Sequence, residues 1–260
     1  MKRFFKDIKK YFSYAFYSAK AELKAEISSS YLNWIWWILE PLCFMFIYMF
    51  IYSIVFKSSQ EQLPLFIFIG LTCWNFFNKC VTSSVKLVQN NTAIVSKVYL
   101  PKFILVLEKM LVNGFKMLVS FVLTFVMMPF FGVAFTWKIV FLIPFLLLLA
   151  LFTFGFCSWL MHLGVFVEDL SYIVNIALRL IFYATGVFYP IESKLDAPWN
   201  TILLKGNPIA FIIDGLRDTI LYNQLPSFKV YGVWMLATIL IIWSGIKIIY
   251  RYENSYVKVI

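Results

Sequence analysis

Charge is what this chain of 260 residues has least of: Asp, Glu, Lys and Arg make up 14% of it, against 62% hydrophobic residues. Soluble domains carry about 25% charged residues, so a water-facing surface of ordinary composition is excluded. Histidine occurs once, at 162, which rules out a His-based metal cluster, and no HExxH pattern is present. There is no GxxxxGK(S/T) phosphate loop, so the chain lacks the usual means of binding ATP. Cysteine is scarce, and Cys43, Cys73, Cys80 and Cys157 all lie in or beside apolar runs with no CxxC pair. They read as small buried apolar residues, not as a redox or metal framework. The first thirty residues are basic and amphipathic and have no early apolar core, unlike a cleavable leader. Repeats, low-complexity tracts and a soluble-domain boundary are all missing, so 1–260 reads as one domain. No cofactor or metal is expected in this chain.

Long apolar runs are abundant instead. Segment 31–56 has one charge, Glu40, and 139–167 has none if His162 is neutral. A helix needs roughly 20 such residues to cross the hydrocarbon core. The runs do not alternate apolar and polar residues, which excludes a barrel. The expected fold is all-α, with six transmembrane helices near 33–56, 63–85, 107–131, 139–164, 170–189 and 230–249. An even count puts both termini on one side. Fourteen of the 23 basic residues fall in the N-terminal segment, 86–109 and the tail from 247, so those parts are expected in the cytoplasm. Glu168 and Asp169 oppose the trend, but acidic residues weigh little in the rule. The net charge of +10 collects at the ends of apolar runs, where it suits anionic lipid headgroups and not nucleic acid.

Residues 4–27 carry an apolar stripe of Phe5, Ile8, Phe12, Phe16, Ala19 and Leu23, with Lys2, Lys6, Lys9, Lys10, Lys20 and Lys24 largely off it. That is a helix lying in the membrane interface or packing on a partner. Segment 89–102 has room for one short cytoplasmic helix. Segment 190–229, on the outer side, is too apolar for a solvated loop. Asn207-Pro208 is a cap followed by proline at the first helical position. Two short helices near 197–205 and 208–222, dipping back into the outer leaflet, are expected there; a membrane-peripheral loop is the alternative.

Polar residues inside spans mark interiors or cavities. Asn175, Arg179 and Tyr183 repeat every four residues and share one helical face. Trp37, Glu40, Phe44, Tyr48 and Tyr52 lie roughly on one face of span one. Such a mixture suits sugars, whose faces are partly apolar, or a headgroup belt. Glu40 and Arg179 fall at similar depth, about 10 and about 13 Å along their spans at 1.5 Å per residue. They either pair or face water separately. Lys79 and Lys116 receive no role.

The order of these features resembles a known family. Tyr31-Leu32-Asn33-Trp34-Ile35-Trp36-Trp37-Ile38-Leu39-Glu40-Pro41 is similar to the "LGxLWxxLxP" entry to span one of the ABC-2 permeases that export polysaccharides. Gly70-Leu71-Thr72-Cys73-Trp74-Asn75-Phe76-Phe77 resembles "GLxxWxFF", and Lys97-Val98-Tyr99-Leu100-Pro101-Lys102 resembles "KxxFP". Phe166-Val167-Glu168-Asp169-Leu170 resembles "FxRDL", with Glu168 where Arg is usual; Asn33 likewise replaces a usual glycine. Phe182-Tyr183 through Tyr189-Pro190-Ile191 resembles "FYxxxxxYPI", and Gly206-Asn207-Pro208 with Arg217 resembles "NPxxxxxxxxR".

The resemblance implies a homodimeric permease for a lipid-linked glycan such as O-antigen, teichoic acid or capsule precursor. Each copy would bind a cytoplasmic ATPase subunit holding ATP and Mg. It further implies that spans one and five line the path. Asn91, Thr92, Lys97, Tyr99, Leu100, Pro101 and Lys102, with Glu168 and Asp169, would receive the ATPase stroke. Tyr189, Pro190, Trp199, Asn207, Pro208 and Arg217 would belong to an outer gate. A drug or small-lipid exporter is the nearest alternative. A membrane enzyme acting on polyprenyl-linked sugars would need convergent carboxylates, and a solute site at the midplane would need broken spans in matching halves; neither pattern is visible.

Overall fold

The computed structural model describes residues 2–28, 31–55 and 62–259, and among them every regular element is helical. Helix α1 is Lys2–Ser28, α2 is Trp36–Phe50, α3 is Leu63–Val85, α4 is Leu87–Asn90 and α5 is Thr92–Val95. Then come α6 at Phe103–Phe130, α7 at Leu142–Phe166, α8 at Leu170–Ala184 and α9 at Ile191–Lys194. Helices α10 at Trp199–Gly206, α11 at Pro208–Ile220 and α12 at Phe228–Val259 complete the chain.

Five segments are long and apolar enough to cross a membrane: Trp36–Ile54, Leu63–Val85, Phe103–Phe130, Trp137–Phe166 and Phe228–Tyr256. The span expected at 33–56 begins with a short 3₁₀ turn and ends in a π turn at Ile51–Val55; Phe56 lies outside the described residues. The one expected at 170–189 differs more. Its helix, α8, stops at Ala184, and 15 residues extend only about 22 Å, short of the roughly 30 Å hydrocarbon core. Gly186 then turns the chain at φ +64°.

Helix α3 is the hub. It packs against α2, α6, α7, α8 and α11, and Leu65 through Trp74 are all buried. Helix α2 is the opposite case. Its buried residues are Pro41 and Met45, continued by Tyr52, a stripe one residue wide at helical spacing. Its other faces expose Phe44, Phe46, Ile47 and Phe50, as a helix bordered by lipid does. Helix α12 lies along α7 and joins it through a 2.7 Å hydrogen bond between His162 Nδ1 and Tyr256 Oη.

Helix α1 divides the stripe read from its sequence. Phe4, Ala15 and Ala19 are buried against α6, while Phe5, Phe12 and Phe16 stay exposed. The protein side is held by Ser18 Oγ donating to Glu108 at 2.7 Å, and by Lys109–Glu22 and Lys116–Glu26 ion pairs at 2.6 Å. One helix therefore offers a partner face and a separate apolar face.

Just after α8, at Thr185, Gly186 and Val187, the backbone is irregular yet buried, which membrane depth tolerates only where protein satisfies it. Arg217 of α11 does this. It is 3% exposed and donates to the carbonyls of Gly186 at 2.9 Å, Val187 at 2.6 Å and Phe66 at 2.9 and 3.1 Å. Its guanidinium sits 3.4 Å above the Phe66 ring centroid. Gly70 makes room: a Cβ there would come within 2.6 Å of Arg217 Nη2 and 2.7 Å of the Val187 oxygen.

Arg217→Met strands these carbonyls, at about 1–3 kcal/mol per buried group. Thermal unfolding in detergent should shift to clearly lower temperature. Arg217→Lys should recover only part, because an ammonium cannot bridge two elements in a planar fork. A wild-type midpoint for Arg217→Met would contradict this role.

Candidate functional site

Helices α2, α3 and α8 border an open cavity of about 570 Å³. Phe44 and Tyr48 line it from α2, and Asn175, Arg179 and Tyr183 from α8. These are five of the eight path residues expected from sequence. Helix α3 adds Trp74, Asn75 and Asn78, which sequence reasoning passed over. Their signal was present: Asn75, Asn78 and Lys79 recur three to four residues apart within an apolar span, which puts them on one face.

The cavity wall mixes aromatic rings and hydrogen-bonding groups with two leucines, Leu71 and Leu178. Tyr48 stacks on Phe188 with ring centroids 5.4 Å apart and planes 7° from parallel, and Trp74 lies 5.4 Å from Phe182. Asn175 Nδ2 is held by the Ser171 carbonyl at 2.8 Å. Arg179 is exposed and makes no ion pair among the described residues. A lone guanidinium facing hydrocarbon costs about 2.5–3.5 kcal/mol on insertion scales, so its surroundings must supply water or a polar ligand.

The other three path residues go elsewhere. Tyr52 is buried at 2% exposure and lines neither cavity. Trp37 and Glu40 line a second cavity of about 240 Å³ between α2, α3 and α6. Within the chain Glu40 does not pair with Arg179. Lys79 of α3 donates to both its oxygens, at 3.0 and 3.1 Å. Counting residues along each span gave the depth of Glu40 but not the direction in which it points, and that direction is toward α3.

The expected coupling residues are close in space but do not form one helix. Asn91 separates two single turns, α4 and α5, and Thr92 begins the second. Lys97 and Tyr99 are exposed, whereas Leu100, Pro101 and Lys102 are buried. Leu100 precedes proline, which disfavours the helical conformation. Arg3 of α1 donates to Tyr99 Oη at 2.5 Å and to Glu253 of α12 at 2.8 Å. Tyr250 Oη donates to Asp7 at 2.6 Å. The segment is thus tied to both ends of the chain. The Glu253 hydrogen bond raises the Arg3 pKa further, while burial lowers that of Lys102 against a smaller opposing pull from Glu253. Glu168 and Asp169 are exposed at the α7–α8 junction. There, Gln89 Nε2 reaches the Gly164 carbonyl at 3.4 Å.

In the expected gate region the two short helices are present as α10 and α11, close to the bounds read from sequence. Asn207 caps α11 by accepting from the Ile209 and Ala210 amides at 3.0 and 3.4 Å, with Pro208 next. Its amide also donates to Thr185 Oγ1 at 3.0 Å. Tyr189 Oη donates to the Tyr183 carbonyl at 2.6 Å, tying this region to α8. Pro190 precedes α9, and Trp199 is exposed at the start of α10.

A polytopic helical bundle around a polar, aromatic-walled cavity, in a chain with no nucleotide loop, has the character of a transport subunit. Residues 15–221 match the ABC-2 type transporter family, and the chain belongs to it. It is 27% identical over 232 residues to an O-antigen export system permease protein, RfbA, of Myxococcus xanthus, covering 87% of each chain. It is also 24% identical over 240 residues to an RfbA protein of the same description from Klebsiella pneumoniae, covering 92% of each chain.

The Glu40–Lys79 pair generates a direct test. Glu40→Gln and Lys79→Met should each lower the detergent melting temperature, because each leaves the other charge without its partner. The double variant should melt above the sum of the two losses, with a coupling of about 1–3 kcal/mol. Glu40→Gln combined with Arg179→Met should simply add.

Proposed function

We propose that this chain is the membrane permease subunit of an ABC exporter that moves a lipid-linked polysaccharide across the cytoplasmic membrane. A separate ATPase chain, binding ATP and Mg, supplies the energy. The observation that carries the reading is the cavity between α2, α3 and α8. Within an otherwise apolar bundle it offers amides from Asn75, Asn78 and Asn175 and the unpaired guanidinium of Arg179, beside Tyr48, Trp74 and Tyr183. Hydrogen-bonding groups alternating with aromatic faces are what a sugar chain can slide along. The names carried by the two relatives support the same cargo.

In the proposed assembly two copies meet along the exposed faces of α2 and α8, so that the cavity becomes half of a shared path. Helix α8 and the buried chain to Pro190 serve as the sixth crossing, which puts both termini in the cytoplasm and 190–229 on the outer side. The exposed Phe5, Phe12 and Phe16 of α1 rest in lipid. The segment from Asn91 to Lys102, with Glu168 and Asp169, forms the seat for the ATPase. Tyr99 is its exposed contact, and Leu100 and Pro101 are its buried anchor. Helices α10 and α11, steadied by Asn207 and Arg217, form the outer gate.

The reading is tested by deleting the permease in its host and restoring variants. Surface glycan, probed on intact cells, should vanish on deletion and return with the wild type. With Arg179→Ala it should stay at least tenfold lower at equal membrane abundance. Tyr99→Ala should lower ATP hydrolysis by the reconstituted complex while leaving the permease inserted. Normal surface glycan in the deletion, with new sensitivity to small toxic compounds, would mark a drug or small-lipid exporter instead.

A further inference from the structure

The cavity between α2, α3 and α6 adjoins the proposed path and shares Asn75 with it. Its volume of about 240 Å³ matches about eight waters at roughly 30 Å³ each, enough for a small polar headgroup. Two ion pairs border it. Glu40–Lys79 is at 3.0 Å and Glu26–Lys116 at 2.6 Å, so the lining holds two ammoniums and two carboxylates in balance. The members of the first pair remain 43% and 42% exposed, each with a free side.

The lining is also short of one partner. Thr72 borders the cavity at 3% exposure, and its buried hydroxyl has no hydrogen-bond partner among the described residues. A buried hydroxyl left unpaired costs about 1–3 kcal/mol, so an acceptor or donor belongs beside it. The flanks of the cavity are apolar and open. Phe115 and Leu118, on either side of the lining residues Lys116 and Met117, are 46% and 55% exposed. Trp37 packs edge-on to Phe115 at 5.7 Å, and Trp36 is exposed beside it at the start of α2, as tryptophans are where a helix meets the headgroup layer.

We propose that this cavity is a binding site for an aminophospholipid, a lipid whose head carries both a phosphate and a primary ammonium. The zwitterion matches the lining in both signs. Its phosphate accepts from Lys79 and from the Thr72 hydroxyl, and its ammonium donates to Glu40. The acyl chains run over Phe115 and Leu118. A purely anionic head would leave the carboxylates facing like charge. A quaternary ammonium has no N–H to donate to Glu40. The site meets the glycan path only at Asn75 and does not depend on which cargo is exported.

The test equilibrates the full-length protein in detergent with equal amounts of phosphatidylethanolamine, phosphatidylcholine and phosphatidylglycerol. Retained lipid is then counted by native mass spectrometry. The expected result is one phosphatidylethanolamine per chain, at least fivefold preferred over each of the others. Thr72→Val, which keeps the shape and both ion pairs, should lower the amount of phosphatidylethanolamine retained at least fivefold because it removes a donor to the phosphate. Glu40→Gln with Lys79→Gln should cut the preference to within twofold. Val126→Ala, an exposed site further along α6, should leave it intact. Circular dichroism melting confirms that each variant is folded, and the wild-type lipid ratio decides by itself if one is not. Equal retention of the three lipids overturns the proposal. So does preference for phosphatidylglycerol, which would mark an anion site, and so do a retention that Thr72→Val leaves unchanged and a preference that Glu40→Gln with Lys79→Gln leaves unchanged.

Discussion

Every polar group at membrane depth must find a partner inside the protein or a place in water, and the structure follows from how each one does so. Arg217 is the clearest instance. One buried guanidinium supplies the partners for a stretch of backbone that is neither helix nor exposed loop. Because it also reaches the Phe66 carbonyl of α3, it fixes the α8–α11 connection to the hub helix. The cap at Asn207 and its bond to Thr185 hold the same corner from the other side. Helix α8 can therefore stop after 15 residues without leaving open backbone in lipid.

The same constraint sets the cavity between α2, α3 and α8 apart. Lys79, Lys109 and Lys116 are each matched by a carboxylate on another helix, which is the closed solution to burying charge. Arg179 has no such match and lies in a cavity with three asparagines, which is the open solution. A cavity that sets an exposed guanidinium beside amides and aromatic rings offers a place for something polar. Membership of the ABC-2 transporter family and the export-permease names of the relatives fit that geometry.

Local chemistry was legible in the sequence, and direction was not. Asn207-Pro208 announced the start of α11 because a cap and a first-turn proline act on their own neighbours. Apolar length located five spans for the same reason. The run 170–189 read as one helix because hydropathy does not register that Gly186 turns the chain. Pro101 carried the warning that Tyr99 and Leu100 are not helical. Charge and depth are one-dimensional, so they left open whether Glu40 meets Arg179. Lys79 is 39 residues away, on a face of α3 that only packing defines. Arg217 read as part of a gate, and its burial adds what no motif displays, a fastening whose acceptors are backbone carbonyls.

The central claim is that one face of α8 is wet and the remainder is not. Single cysteines placed along α8 in a background without other cysteines, and treated with a charged methanethiosulfonate that reacts only in water, test it directly. Positions 175, 179 and 183 should modify rapidly, and positions 173, 176 and 180 slowly or not at all. Equal reactivity around the helix, or an inert position 179, would contradict a polar path between α2, α3 and α8.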